Sequence, residues 1–117
     1  MERPDGIIIT ISRKYLNERG RLAWMRDFMK AMDNDGCSYW MRLGNRPKHE
    51  VLYIYLILGN KIRYRMNFVM YEKGGVFHTA DGRDITAKNW LVGTGPLVLG
   101  NVKMKGFQGF RYTQIIF

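Results

Sequence analysis

Cysteine is almost missing from this chain: Cys37 is the only one among 117 residues. A single thiol excludes an intramolecular disulfide and a cysteine-built zinc site. Histidine is nearly as scarce, with only His49 and His78, so acid–base chemistry has little material. Long hydrophobic runs are absent too. The longest, Val51–Leu58, falls far short of the roughly 18 residues a membrane-crossing helix needs. Met1–Gly6 leads into a short apolar run with no signal-peptide pattern, so the expectation is a cytoplasmic protein without membrane association. Repeats, low-complexity tracts and internal linkers are lacking. With 46% hydrophobic and 25% charged residues the chain reads as one folded domain, 1–117, rather than a disordered one.

Negative charge is the remaining shortage, and it is the informative one. Nineteen Lys and Arg face ten Asp and Glu, giving a net charge of +9. The excess is clustered. Residues 11–30 carry Arg13, Lys14, Arg19, Arg21, Arg26 and Lys30 against Glu18 and Asp27. Residues 42–65 carry Arg42, Arg46, Lys48, Lys61, Arg63 and Arg65 against Glu50 alone. Lys103, Lys105 and Arg111 near the end are unopposed. Clustered cations favour a polyanionic partner, because each neutralised phosphate releases condensed counterions.

Hydrophobic periodicity predicts the elements. Gly6–Ile11 is β-branched and reads as a buried first strand. From Arg21 the apolar spacing turns helical through Leu22, Met25, Met29 and Met32, predicting one principal helix over about residues 18–33 that stops at Asp33–Gly36. Cys37–Leu43 alternates like a strand. Val51–Leu58 is apolar on both faces and belongs in the middle of a sheet. Gly59-Asn60 marks a hairpin turn into Lys61–Tyr71. In that arm Ile62, Tyr64, Met66, Phe68 and Met70 fall on one side, and Lys61, Arg63, Arg65 and Asn67 on the other. Further on, Glu72–Gly75 reads as a turn, Thr86–Trp90 as a helical turn, Trp90–Leu99 as an interrupted strand and Phe110–Phe117 as a closing strand. The expected fold class is α+β: a small, strongly bent, mainly antiparallel β-sheet or pseudobarrel with one principal helix.

Motifs for catalysis are weak. His49 and His78 are the only candidate acid–base residues; they could meet in space as a pair, although nothing in their spacing demands it. Asp33–Gly36 lacks the ligand spacing of a calcium loop, and Asp81 and Asp84 read as turn residues. The glycines match neither a phosphate loop nor a dinucleotide fingerprint. No metal site or cofactor is expected. Basic and aromatic residues do interleave: Tyr39, Trp40 and Arg42; Arg63, Tyr64 and Arg65; Phe107, Phe110, Arg111 and Tyr112. Aromatic faces stack on unpaired bases while Arg and Lys hold the backbone.

The order of these segments resembles the PUA-like superfamily, which includes the ASCH and EVE domains. GIIITI leads into the helical segment; a strand with Trp40 and Arg42 follows; then come VLYIYLIL, its hairpin partner KIRYRMNFVMYE, and the closing GFRYTQIIF. The resemblance implies a pseudobarrel that binds RNA or a modified base, with its pocket between the barrel and adjoining segments. Trp40 and Arg42 stand near the family's Glu-x-Arg element, but the Glu and the preceding Gly-Lys-Lys-type stretch are missing. Lys48-His49-Glu50 replaces the Gly-Asp pair before the hydrophobic strand.

The sequence therefore points to a non-enzymatic binding module for RNA, or for single-stranded or modified DNA. Its candidate contacts are Arg42, Arg46, Lys48, Lys61, Arg63 and Arg65, with Trp40 stacking and Arg13, Arg26 and Lys30 secondary. Two rivals stand beside it. One is an accessory protein, of a phage or mobile-element type, whose basic face docks an acidic protein or a small nucleotide. The other is a small basic ribonuclease using His49 or His78.

Overall fold

A computed structural model describes residues 3–11, 38–78, 82 and 84–117. Six strands run in chain order: β1 (Gly6–Thr10), β2 (Ser38–Leu43), β3 (Tyr53–Ile57), β4 (Lys61–His78), β5 (Asp84–Lys103) and β6 (Phe110–Thr113). They form one mixed sheet in the order β2-β5-β4-β3-β1-β6, curled into a half-barrel. β1 and β3 are parallel, and the other neighbours are antiparallel.

This corrects the α+β expectation. The described residues are mainly β with no helix among them, and the span 18–33 lies outside them, as do Cys37 and Asp33–Gly36. Two local readings change as well. Glu72–Gly75 and Thr86–Trp90 are neither turn nor helix but opposite sides of one ladder, with Glu72 facing Trp90 and Val76 facing Thr86. Cross-strand pairing over this length overrides the local turn signal of Gly74-Gly75. The far part of this ladder, from Lys73 and Asn89 outward, extends past β3 as a two-stranded ribbon.

β3 lies centrally because both of its faces are apolar. Ile54, Leu56 and Leu58 join Ile7, Ile9, Met41, Leu43, Tyr64, Met66 and Leu91 in the larger core. Tyr55 and Ile57 join Ile8 and Ile62 in a second cluster on the opposite face, covered by Phe107, Ile116 and Phe117. The β3–β4 turn closes in two residues, Gly59 and Asn60, whose φ angles of 58° and 61° match the right-handed twist of the arms.

The simple alternation expected for β4 breaks. Ile62 packs in the second cluster, whereas Tyr64 and Met66 pack in the first. The register shifts between Ile62 and Tyr64, and again between Arg65 and Asn67 and between Phe68 and Met70. Each bulge bends the strand and raises its twist, which curls the sheet.

Gly93 marks where the curl tightens. A Cβ there would come within 2.3 Å of the Met66 Sδ and 2.8 Å of the Ile54 Cδ1. Gly93→Ala is therefore expected to cost about 1–3 kcal/mol through overpacking. Urea unfolding measures it, and an unchanged midpoint would refute the tight approach.

Candidate functional site

The half-barrel does not close. Between β2 on one lip and the end of β1 with the segment before β6 on the other lies a cleft of about 450 Å³. Ile9, Thr10 and Ile11 come from the first strand, Tyr39–Gly44 from the second, Ile85 and Trp90 from β5, and Phe107–Gly109 from the last connection. Among the described residues no carboxylate lines it.

The antiparallel register of β2 and β5 sets Arg42 opposite Trp90 and Trp40 opposite Val92. The Trp90 ring is buried and meets the partly exposed Trp40 ring edge to face, centroids 6.0 Å apart. Trp40 is thereby held at the cleft wall by a rigid aromatic neighbour, and Arg42 is exposed beside it. On the other lip the Arg111 guanidinium lies over the Phe107 ring, 4.2 Å from its centre. The Phe107 N–H donates to the Thr10 Oγ1 at 3.0 Å, fixing this connection to the end of β1.

A second opening of about 320 Å³ adjoins the first, sharing Thr10, Ile11, Phe107 and Gln108 and adding Gly59, Asn60 and Lys105.

The other candidate cations divide into two groups. Arg46 and Lys48 are exposed on the connection after β2. That connection is pinned to the sheet: the Lys48 and His49 N–H groups donate to the Tyr112 hydroxyl at 2.7 and 3.0 Å, and the Tyr71 hydroxyl donates to the His49 carbonyl at 2.7 Å. Burial, with nearby Tyr112 and Glu50, pushes the Tyr71 phenol far above its ordinary value, so it is a donor throughout the neutral range. Arg63 and Arg65 are instead turned to the protein's own carbonyls. The Arg63 Nε donates to Leu58 at 3.3 Å. The Arg65 Nη1 donates to the Phe117 carbonyl, and its guanidinium lies 4.2 Å from the Tyr53 ring centre. Lys61 faces Lys103 across the β4–β5 ladder.

No known family model, curated protein or solved structure matches this chain. The chemistry must therefore be read from the side chains alone.

The two histidines do not meet. His49 packs against Tyr112, with ring centres 5.3 Å apart. His78 sits on the exposed ribbon, its Nδ1 2.5 Å from the Asp84 Oδ1. Along β4, Tyr71 and His78 are seven positions apart, roughly 23 Å at the strand rise. The described residues hold no group of three His, Cys, Asp or Glu able to bind a metal, and no helix long and apolar enough to cross a membrane.

Sequence reading found Trp40 and Arg42 but missed their partners on the far lip. Phe107 and Gln108 reach the cleft because the chain leads from them into β6, which pairs with β1, and that antiparallel pairing has no local signature in the sequence. The basic–aromatic run of Phe107, Phe110, Arg111 and Tyr112 and the unopposed charge of Lys103, Lys105 and Arg111 were the available hints.

Proposed function

We propose that this chain is a cytoplasmic, non-enzymatic module that binds single-stranded nucleic acid, RNA or DNA, across the open lip of its half-barrel. The observation that carries the reading is the cleft itself. It sets aromatic surface from Trp40 and Phe107 beside Arg42, with Gln108 as a hydrogen-bonding group, Arg111 over the Phe107 ring and no described carboxylate. Stacked bases use the rings, and phosphates use the guanidinium groups. None of the described Lys or Arg side chains is paired with a described Asp or Glu, and apart from Arg63 and Arg65, which hold the protein's own carbonyls, their charge supports binding of an anion. A cleft beside the barrel opening also agrees with the pocket placement that the PUA-like resemblance implies. The acidic-protein reading uses the same cations but leaves the aromatic walls without a role. The ribonuclease reading, which uses His49 or His78, has neither histidine among the residues that line the cleft.

Arg42→Glu and Trp40→Ala test this, with a labelled, unstructured oligonucleotide followed by fluorescence anisotropy. Each change is expected to weaken binding by about tenfold or more, since one stacked base contributes roughly 1–3 kcal/mol. Arg42 is exposed, so its variant separates contact from folding. Wild-type protein that retains no oligonucleotide even at low salt would sink the assignment.

A further inference from the structure

Three lysines gather where the cleft meets the β3–β4 turn. Lys61 and Lys103 are direct cross-strand partners. Their neighbours Ile62, Val102 and Met104 pack in the second apolar cluster, so by strand alternation both lysines project from the opposite face. That is the face whose residues Ile9, Ile11, Met41 and Leu43 border the cleft. The Met104 N–H donates to the Asn60 carbonyl at 3.1 Å and carries the chain on to Lys105, which lines the adjoining opening with Asn60 and Phe107. Like charges directly opposite in a ladder disfavour the fold. Nothing described offsets them: Asp5, Glu50, Glu72 and Asp84, the four described carboxylates, pair with none of these lysines. An arrangement that is unfavourable alone becomes favourable when a phosphate bridges it.

We infer that Lys61, Lys103 and Lys105 form a phosphate track continuing the cleft, so that the ligand is an oligonucleotide strand and not a mononucleotide. This rests on the proposed single-strand reading and adds its length requirement and path. Bases stack at Trp40 and Phe107, and the backbone then runs past Asn60 to the lysine pair. A strand spanning both regions needs roughly four or more nucleotides, the lower end of site sizes for small barrels.

The experiment compares oligothymidylates and oligouridylates of roughly two to twelve nucleotides on wild type, Lys61→Gln/Lys103→Gln and Lys105→Gln over a range of salt. Wild-type affinity is expected to climb with length and level off once the strand spans cleft and track. The double variant should lose about 1.4 from the slope of log K against log salt on the long strands, at about 0.7 per phosphate contact. Its affinity for a dinucleotide should stay as in wild type, and its melting temperature should not fall, because a repulsion has been removed. Long strands bound with an unchanged salt slope would overturn the track while leaving the cleft reading intact. Failure of wild type to bind any strand would overturn the functional reading and the track with it. Equal wild-type affinity for short and long strands would refute the length requirement alone.

Discussion

Tyr55→Ala is expected to lower the unfolding free energy by about 3–5 kcal/mol, the range for deleting a large buried aromatic. Tyr55 is 0% exposed in the central strand, and its ring stands edge-on to Phe117 at 5.3 Å and to Tyr53 at 6.5 Å. Its hydroxyl donates to the Phe117 carbonyl at 3.2 Å and accepts from the Ile116 N–H at 3.0 Å. The same side chain thus fills the second core and moors the tail that covers it. Small domains are stable by only about 5–15 kcal/mol, so this one change removes a large fraction. Tyr55→Phe keeps the ring and gives up both hydrogen bonds, and should cost about 1–2 kcal/mol. Urea titration of the two variants separates packing from mooring. Equal stability of the two would show that the ring carries no packing weight.

What could be read from the sequence was what local chemistry decides. The doubly apolar VLYIYLIL run requires a strand covered on both sides, and β3 lies between β1 and β4 with Ile54 and Leu56 in one core and Tyr55 and Ile57 in the other. Gly59-Asn60 requires a tight turn, and both residues adopt positive φ. Long-range decisions were not legible. The Phe110–Thr113 strand pairs with β1, about a hundred residues away in sequence, and that pairing brings Phe107, just before it, to the cleft. Bulges were illegible too. A shift at Arg63 moves Ile62 to the opposite face from Tyr64, so strict alternation misassigns everything on one side of it.

The cationic row of β4 shows the consequence for the site. Alternation grouped Lys61, Arg63 and Arg65 on one outward face, but the bulge separates their surroundings. Lys61 meets Lys103, Arg63 bonds to the turn at Leu58, and Arg65 is drawn to Phe117 and Tyr53. The fold therefore uses Arg63 and Arg65 to hold its own backbone, and Lys61 is left for the phosphate track proposed above. Arg42, separated from them in sequence and strand, is exposed at the cleft.

Arg65→Glu is consequently expected to act on stability before it acts on binding. A hydrogen bond from a charged donor contributes about 1.5–3 kcal/mol and a guanidinium over a ring about 0.5–1, so roughly 2–4 kcal/mol is lost. The new carboxylate would also face the Phe117 carbonyl, two acceptors with no proton between them. Loss of that anchor should loosen Phe117 from Tyr55 and expose the second cluster, which hydrogen exchange at Ile116 and Phe117 would register. Arg42→Glu is the matched control: its exposed side chain lies at the cleft, and its stability should stay within about 0.5 kcal/mol of wild type while its oligonucleotide affinity falls. Thermal unfolding and anisotropy on both variants give a crossed pattern. An Arg65→Glu protein that melts with wild type but binds no strand would reverse the two roles, making Arg65 the contact and its hold on Phe117 incidental.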